Sequence, residues 1–191
     1  MPRKIDETRL FEVAAGLFAR HGYTSTKTKE IAAAAGVNEA TLYRRYGSKA
    51  ALLGRALDHQ WRDVPLTRVR PTEDLEADLH AIVEAYRETN RLRGAILPAL
   101  LVELARSGDL RAALGTALAN VGRLVAIIEH HQAAGRLRAE APMAMLNALI
   151  GPLLVQEMFQ RAGLEGGDAP STFDTSAHVR AFLDGRRARV D

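Results

Sequence analysis

The stretch KEIAAAAGVNEATLYRRY, from Lys29 to Tyr46, decides the fold of the N-terminal part of the chain. Its run of alanines favours a helix, which Gly36 stops, and a second helix is expected to begin two residues later at Asn38. Glycine adopts the left-handed conformation that ends many helices, whereas asparagine caps the start of the next one. Two short helices joined by a tight turn are the helix-turn-helix pattern.

The second helix of this pair has the residues of a DNA-contacting helix. A helix fits the major groove of DNA, where the side chains of its N-terminal half reach base edges and phosphates. Thr41 and Arg44 are suited to such contacts. The alternative is an ordinary helical hairpin on a soluble bundle, with Arg44 and Arg45 as solvated surface.

The charge of the chain is unevenly distributed. The formal net charge is +3 over 191 residues, but residues 1–62 carry +5 and the remainder carries −2. A basic N-terminal part on a slightly acidic body indicates a module that binds a polyanion. Solvated surface lysines and arginines would give the same count, so this observation alone is weak.

Composition indicates a cytoplasmic protein. The chain has no cysteine, and its N-terminus has no apolar segment of the kind found in a signal peptide. The most apolar segment, APMAMLNALIGPLLV, is shorter than the roughly 20 residues that span a bilayer. We therefore expect neither secretion nor a membrane partner.

Hydrophobic periodicity predicts an all-α fold without strands. Four helices are expected over about residues 6–21, 28–35, 39–45 and from Ser48 to the region before Pro65. Further helices are expected near 75–94, 96–106, 110–135, 142–162 and 176–186, and the helix over 142–162 is expected to be kinked at Gly151-Pro152. The predicted organisation is a three-helix DNA-binding domain at 1–50 and a helical bundle for ligand binding and dimerisation at 51–191.

The segment from Phe18 to Leu53 closely resembles the DNA-binding domain of the TetR family of bacterial transcription regulators. The matching positions follow the family pattern without a gap: Phe18, Gly22-Tyr23, Thr26, Ile31-Ala32, Ala35-Gly36-Val37, Thr41-Leu42-Tyr43, Tyr46, Ser48-Lys49 and Leu52-Leu53. The resemblance implies a homodimer that binds a double-stranded DNA operator and responds to a small-molecule effector. Repression of the target gene is a further expectation from the family.

The same resemblance implies which residues fix the protein on the DNA backbone. Phosphate contacts position a protein without reading sequence, and they are expected from Thr26, Thr28, Tyr43, Tyr46 and Lys49. Lys27 departs from the family pattern, which usually has Ser or Thr at this position. A lysine at a helix start also opposes the helix dipole. Either Thr26 or Thr28 then caps the second helix, or Lys27 points at a phosphate.

Base-edge contacts are expected from the start of the second helix of the pair. Arg44 can bond bidentately to a guanine, and Ala40 can meet a thymine methyl. The full candidate set is Asn38, Glu39, Ala40, Thr41 and Arg44. Tyr43 has an alternative as a half-buried core residue, and Arg45 is expected to contact phosphate or remain plain surface.

Dimerisation is expected through the two last helices. The helix that begins at Pro142 is apolar almost all round, so one face can pack on its own core and another on a partner. The interface candidates are Leu146, Ile150, Leu153, Leu154, Met158, Val179, Phe182 and Leu183. The alternative is a helix buried inside one subunit.

A ligand pocket is expected along one face of the long helix near 110–135. That face mixes apolar and polar groups, as small-molecule sites do. The candidates are Trp61, Tyr86, Thr116, Asn120, Leu124, Ile127 and His131. The favoured alternative is that Thr116, Asn120 and His131 face solvent. The absence of clustered charge favours an apolar or neutral effector.

No catalytic or metal-binding motif is found, so we expect no enzyme activity, no cofactor and no metal. His130 and His131 are adjacent and diverge around a helix, unlike metal ligands four residues apart. Two alternatives to an effector-responsive regulator remain. One is a helical enzyme or small-molecule carrier with an incidental hairpin, and the other is an architectural DNA-binding protein without an effector.

Overall fold

The computed structural model describes residues 5–93, 96–163 and 173–188. Its helices are α1 (Glu7–Ser25), α2 (Thr28–Ala35), α3 (Glu39–Tyr46), α4 (Lys49–Trp61), α5 (Leu75–Arg93), α6 (Ile96–Arg106), α7 (Gly108–Ala113), α8 (Thr116–Ala133), α9 (Pro142–Arg161) and α10 (Thr175–Asp184). A 3-10 turn, Pro65–Thr67, precedes α5. No strand is formed in the described ranges, where Leu137 and Arg187 make an isolated antiparallel bridge. The predicted all-α class is confirmed.

The helix starts follow the capping signals of the sequence. Asp6, Asn38 and Ser48 each accept a backbone N–H from the first turn of the helix that follows. Gly22 interrupts α1 with φ 74° and ψ 178°, so the regular part of that helix ends where the sequence predicted. These signals are local, which is why the sequence revealed them.

The single helix predicted near 110–135 is wrong. The chain forms α7 and α8 there, separated at Leu114, which has an extended backbone and a buried side chain. At the preceding residue, Ala113, the carbonyl oxygen lies only 2.4 Å from the position that a Cβ on Gly54 would occupy. The α7 end therefore packs directly on the α4 backbone, a contact between distant segments that helical periodicity does not reveal.

The described chain divides into two compact units. The first comprises residues 1–64 and 90–119, and the second comprises 65–89 and 120–191. The unit that holds α1–α4 thus also contains α6 and α7, whereas the sequence placed a boundary at residue 50. The division into a DNA-binding domain at 1–50 and a ligand-binding and dimerisation domain at 51–191 stays a prediction.

The first unit has a core built around α1. Its central side chains are fully or almost fully buried and come from α1, α2, α3, α4 and α7: Leu10, Phe18, Ile31, Leu42, Leu53, Leu57 and Leu110. Ala32 is also buried, so the close crossing of α1 and α2 uses a side chain small enough to fit. This core sets the orientation of α3 on the unit.

The second unit buries apolar side chains of α5, α8, α9 and α10, among them Leu79, Ile82, Ile128, Leu149 and Val179. α9 continues through Pro152. On α10, the Nε2 atom of His178 lies 2.7 Å from the carbonyl oxygen of Leu149, three residues before that proline. Proline removes the backbone N–H that would bond the carbonyl four residues earlier, which is that of Ala148, so the His178 contact is made at the neighbouring carbonyl.

α9 is the helix that the sequence judged too short for a bilayer. It has 20 residues and passes for a membrane span by length and composition alone, and only 22% of its most apolar window is buried within the chain. The apolar segment noted in the sequence overlaps this longer helix, and one helix of this length and composition is weak evidence for a membrane span. The prediction of no membrane partner therefore stands as a prediction, and α9 leaves apolar side chains exposed.

Candidate nucleic-acid interface

The turn between α2 and α3 has the geometry that the sequence predicted. Gly36 is left-handed with φ 70° and ψ 33°, and the Val37 N–H donates to the Ala32 carbonyl at 2.9 Å. Asn38 Oδ1 then accepts the Ala40 N–H at 2.8 Å. Because one residue separates the helix stop from the next cap, the direction of α3 relative to α2 is fixed by the backbone.

The start and outer side of α3 are open to solvent. Asn38, Ala40 and Arg44 are exposed, Thr41 is half-buried, and Leu42 on the opposite side is buried. Arg44 makes no hydrogen bond or ion pair with any residue of the described ranges. Four of the five base-edge candidates therefore have at least part of their side chain free for a ligand.

Glu39, the fifth base-edge candidate, is engaged inside the protein. Its Oε1 accepts the Thr28 hydroxyl at 2.6 Å, and Thr28 Oγ1 also lies 3.0 Å from the Tyr43 hydroxyl. Tyr43 is nevertheless 48% exposed. The alternative of Tyr43 as a half-buried core residue is therefore wrong, because nearly half of the residue is exposed while its hydroxyl contacts Thr28.

Thr26 and Thr28 are buried, unlike the exposed phosphate contacts that were expected. Thr26 is 0% exposed, and its hydroxyl donates to the Gly22 carbonyl at 2.6 Å. Neither threonine caps α2, and Lys27, the residue at the cap position, makes no side-chain cap bond either. The expected role of the threonine side chains in capping is therefore wrong, because each hydroxyl has a partner in another turn or helix.

Tyr46 and Arg45 both bind Glu7 of α1. The Tyr46 hydroxyl donates to Glu7 Oε1 at 2.9 Å, and Arg45 forms an ion pair with the same oxygen at 2.8 Å. The hydrogen bond from Tyr46, followed by the bond and charge of Arg45, lowers the pKa of the Glu7 carboxyl. Burial, and then the bond to Glu7, raises the pKa of the Tyr46 hydroxyl. This cluster holds the end of α3 against the start of α1.

Lys49 lies in the first turn of α4, but its ammonium group is partly engaged. Nζ donates to the Tyr23 carbonyl at 2.8 Å and more weakly to the Thr24 carbonyl at 3.4 Å. It also lies 4.3 Å from the centre of the Tyr23 ring. An ammonium has three N–H donors, so one remains for a phosphate.

Two further cations near α3 are free. Lys27 and Lys29 are exposed and bind no partner in the described part of the chain. Lys29 was missing from the predicted site, although its charge next to Lys27 on the first helix of the pair was a visible signal. Tyr23, Glu7 and Glu103 were also missed, because each acts through a contact between segments far apart in sequence.

The expected pocket residues are mostly buried. Trp61 lies in the first unit, whereas Tyr86, Asn120, Leu124, Ile127 and His131 lie in the second, and all six are almost fully buried. The alternative that Asn120 and His131 face solvent is therefore wrong. The side chain of Thr116 lies outside the described set.

His131 is held in a polar network of the second unit. Its Nε2 lies 2.8 Å from Asp78 Oδ2, and its Nδ1 lies 3.1 Å from an Arg136 guanidinium nitrogen. Asp78 also accepts the N–H and hydroxyl of Thr72, and Arg136 pairs with Glu73. Because both ring nitrogens have partners, this histidine contributes to the packing of α5 on α8. Among the described residues, no group of three or more His, Cys, Asp or Glu is placed to hold a metal ion.

The dimer candidates divide by exposure. Five of them are buried in the second unit's own interior: Leu146, Leu153, Val179, Phe182 and Leu183. Ile150 and Leu154 are half-buried, and Met158 is 47% exposed. The most exposed apolar side chains of α9 include three that are not in the predicted interface set, namely Met143, Val155 and Phe159.

An all-helical chain with a helix-turn-helix and an exposed α3 belongs to the class of helix-turn-helix DNA-binding folds. Comparison with known proteins gives the family. Residues 10–56 match the family described as bacterial regulatory proteins, tetR family, and residues 69–176 match the tetracyclin repressor-like C-terminal domain. The chain belongs to the TetR family.

Individual relatives agree with this assignment. The chain is 29% identical over 80 residues to the HTH-type transcriptional repressor SCO4008 of Streptomyces coelicolor, and this match spans 42% of each protein. Among solved structures, the flavonoid-responsive regulator FrrA is 25% identical with a TM-score of 0.62, covering 96% of this chain and 98% of its own. A TetR family transcriptional regulator from Pseudomonas syringae pv. tomato is 18% identical with a TM-score of 0.71. This match covers 97% of this chain and 98% of that regulator.

Proposed function

We propose that this chain is a transcriptional repressor that binds a palindromic operator as a homodimer and is released by a small-molecule effector. The observation that carries the proposal is the free Arg44 on the exposed side of a capped, glycine-hinged α3. A helix held in this way can enter the major groove, and two copies related by a two-fold axis would contact two half-sites. The name of SCO4008 as a repressor supports the same direction of regulation.

The proposed DNA contacts fall into two groups. Asn38, Ala40, Thr41 and Arg44 are proposed to face base edges, with Arg44 bonding a guanine. Lys27, Lys29, Tyr43 and the remaining donor of Lys49 are proposed to contact phosphates. Thr26, Thr28, Glu39 and Tyr46 are proposed to support these contacts from within, because their side chains bind other parts of the first unit.

The proposed dimer forms through α9 and α10. Four apolar side chains on α9 are between 45% and 52% exposed: Met143, Val155, Met158 and Phe159. Leaving such a row in water is unfavourable, since burying one large apolar side chain contributes about 1.5–3 kcal/mol. A second copy of the helix would cover this row, with Ile150 and Leu154 beside it. The buried Leu146, Leu153, Val179, Phe182 and Leu183 would support the surface from inside.

The proposed effector is an apolar or neutral organic compound that binds the second unit. Leu124 and Ile127 are buried apolar side chains on α8, and Asn120 is a buried polar side chain on the same helix. FrrA is named as flavonoid-responsive, and a flavonoid has this chemistry. Effector and operator would prefer different separations of the two DNA-binding units, so that each weakens the binding of the other.

Genomic footprinting with the purified protein tests the proposal. We expect a protected palindrome with half-sites about 34–36 Å apart. A panel of flavonoids and charged aromatic acids would then be screened for an increase in melting temperature and for release of that DNA. A protein that protects no site, or DNA binding that no compound weakens, would contradict the respective part of the proposal.

A further inference from the structure

The peptide group between Gly22 and Tyr23 is held from both sides. Its carbonyl oxygen accepts both the N–H of Thr26 at 3.3 Å and the hydroxyl of Thr26 at 2.6 Å. Its N–H donates to Glu103 Oε1 of α6 at 3.1 Å. The orientation of this peptide group therefore depends on a side chain that is 80 residues away in sequence.

Glu103 is a buried carboxylate, with 8% of its surface exposed. A Cβ at position 22 would lie 2.7 Å from Glu103 Oε1, closer than real Cβ contacts. Glycine is thus required at position 22 both for its backbone conformation and for the approach of this carboxylate. A buried charge is costly unless it is hydrogen-bonded, and the Tyr23 N–H supplies one such bond.

The next peptide group of the chain holds Lys49. The Tyr23 carbonyl accepts Lys49 Nζ at 2.8 Å, and the Tyr23 ring lies under the same ammonium group. The chain of contacts thus runs from Glu103 on α6, through the backbone of Tyr23, to the cation in the first turn of α4. All of these residues belong to the first unit.

Residues at the start of α7 influence the Tyr23 hydroxyl electrostatically. Burial raises the pKa of the Tyr23 hydroxyl, and the charge of Asp109 adds to this, while a hydrogen bond from the Ser107 side chain lowers it. Ser107 also caps α7 by accepting the Leu110 N–H at 3.2 Å. Tyr23 is therefore fixed through its backbone by Glu103 of α6.

We propose that Glu103 is a positioning residue for DNA binding, which sets the place of the Lys49 ammonium through the Gly22–Tyr23 peptide group. This inference rests on the proposed function. It assigns to the α6–α7 segment, from Glu103 to Ser107, control over a phosphate contact that it does not touch. Any change that withdraws Glu103 releases Tyr23, and Lys49 then loses the carbonyl that aims its free N–H.

A double-mutant cycle tests this inference on a duplex of mixed sequence, because phosphate contacts do not depend on sequence. The proteins are the full chain, Glu103→Ala, Lys49→Ala and the double variant, and binding is followed by fluorescence anisotropy at several salt concentrations. We expect Glu103→Ala to bind at least about fivefold more weakly. We also expect its salt slope to fall by about one unit, as for Lys49→Ala. The double variant should bind no more weakly than Lys49→Ala alone.

Glu12→Ala is the matched control. Glu12 is an exposed carboxylate of α1 that binds no partner in the described residues, so its loss has the same effect on net charge. Removing a negative charge by itself tightens binding to DNA, which is opposite in sign to the effect expected at Glu103. The inference is overturned if Glu103→Ala binds DNA as tightly as Glu12→Ala. It is also overturned if the double variant loses affinity by the product of the factors measured for Glu103→Ala and Lys49→Ala. If the unmodified chain binds no duplex, the proposed function itself fails.

Circular dichroism melting separates these effects from unfolding. Should Glu103→Ala not fold, the cycle is run with Glu103→Gln, which keeps a carbonyl acceptor but loses the stronger, charge-assisted bond. We expect Glu103→Gln to lose DNA affinity relative to the control Glu12→Gln, by a smaller factor than Glu103→Ala. Tighter binding of Glu103→Gln would overturn the inference.

Discussion

The hydroxyl of Thr28 on α2 lies 2.6 Å from Glu39 Oε1 on α3. This bond joins the two helices of the helix-turn-helix directly, and Tyr43 lies at the same hydroxyl. Thr28 is buried, and we propose that it stabilises the angle between α2 and α3 instead of contacting a phosphate.

Thr28→Val is expected to reduce the free energy of unfolding by about 1–3 kcal/mol, since the variant leaves the Glu39 carboxylate without its donor. Binding to a mixed-sequence duplex should change less than in Lys27→Ala, which removes an exposed cation. Chemical denaturation and anisotropy titrations measure the two effects. A folded Thr28→Val protein with the larger loss of affinity would show that the threonine touches DNA.

Gly22 and Gly36 both have positive φ, but they differ in what surrounds them. Gly36 is in the left-handed helical region with open space around it, whereas Gly22 has ψ 178° and faces Glu103. Asparagine tolerates the left-handed helical conformation of Gly36 but does not tolerate the backbone conformation of Gly22. We expect Gly36→Asn to cost below about 1 kcal/mol of unfolding free energy and Gly22→Asn to cost about 2 kcal/mol or more. Equal costs in urea unfolding would contradict the assigned backbone conformations.

Arg44→Ala is expected to cost about 1–3 kcal/mol of binding free energy on the operator and to relax the preference at one base pair. Lys29→Ala, the matched cation on α2, should weaken operator and scrambled DNA alike and lower the salt slope by about one unit. Lys49→Ala should do the same and also lower the melting temperature, because its ammonium binds the end of α1. Equal losses for Arg44→Ala on both DNAs would remove it from the base-contacting set.

The Glu7 carboxyl links pH to stability. Its pKa is lowered in the folded protein by the hydrogen bond from Tyr46 and by Arg45, so it stabilises the fold above its unfolded pKa, about 4.3. That contribution is lost as the pH falls through the lower pKa that Glu7 has in the folded protein. Because the ion pair is half exposed, Glu7→Gln should cost below about 1 kcal/mol at pH 7. The difference between the two proteins should shrink below about pH 4; a difference that grows on acidification would contradict this sign.

Val155→Glu tests the dimer surface of α9. The side chain is 49% exposed, so a charge there should leave the subunit folded while it weakens association. We expect sedimentation at micromolar concentration to show a monomer with unchanged helix content. The same change at Ala133, an exposed residue at the end of α8, is the control. If Val155→Glu sediments like the unmodified dimer, α9 is not the interface.

The parts of the fold that depend on neighbours in sequence were predictable. Gly36, Asn38, Asp6 and Ser48 act within one helical turn, and their roles follow from residue type and spacing alone. The division into α7 and α8 was not predictable in this way. It depends on the α7 end packing against the backbone at Gly54, about 60 residues earlier in the chain.

In the candidate site too, features set by sequence neighbours were predictable and contacts with distant segments were not. Exposure of Arg44 and Ala40 follows from their place on an amphipathic helix whose buried side holds Leu42. The partners of Tyr46 and Lys49 lie on α1, far away in sequence, so a sequence pattern cannot distinguish a hydroxyl or ammonium that faces DNA from one that faces the protein. Unlike Lys49, the exposed Lys27 and Lys29 have no such partner among the described residues.

Binding of the purified protein to duplex DNA at low ionic strength tests the central claim most directly, with Arg44→Ala measured beside it on the footprinted operator. We predict a tight complex whose affinity falls steeply with salt, and a loss in Arg44→Ala that is larger on the operator than on scrambled DNA. A protein that binds no duplex at any salt concentration, or a variant that binds both DNAs as the unmodified chain does, would contradict the claim that α3 enters the groove.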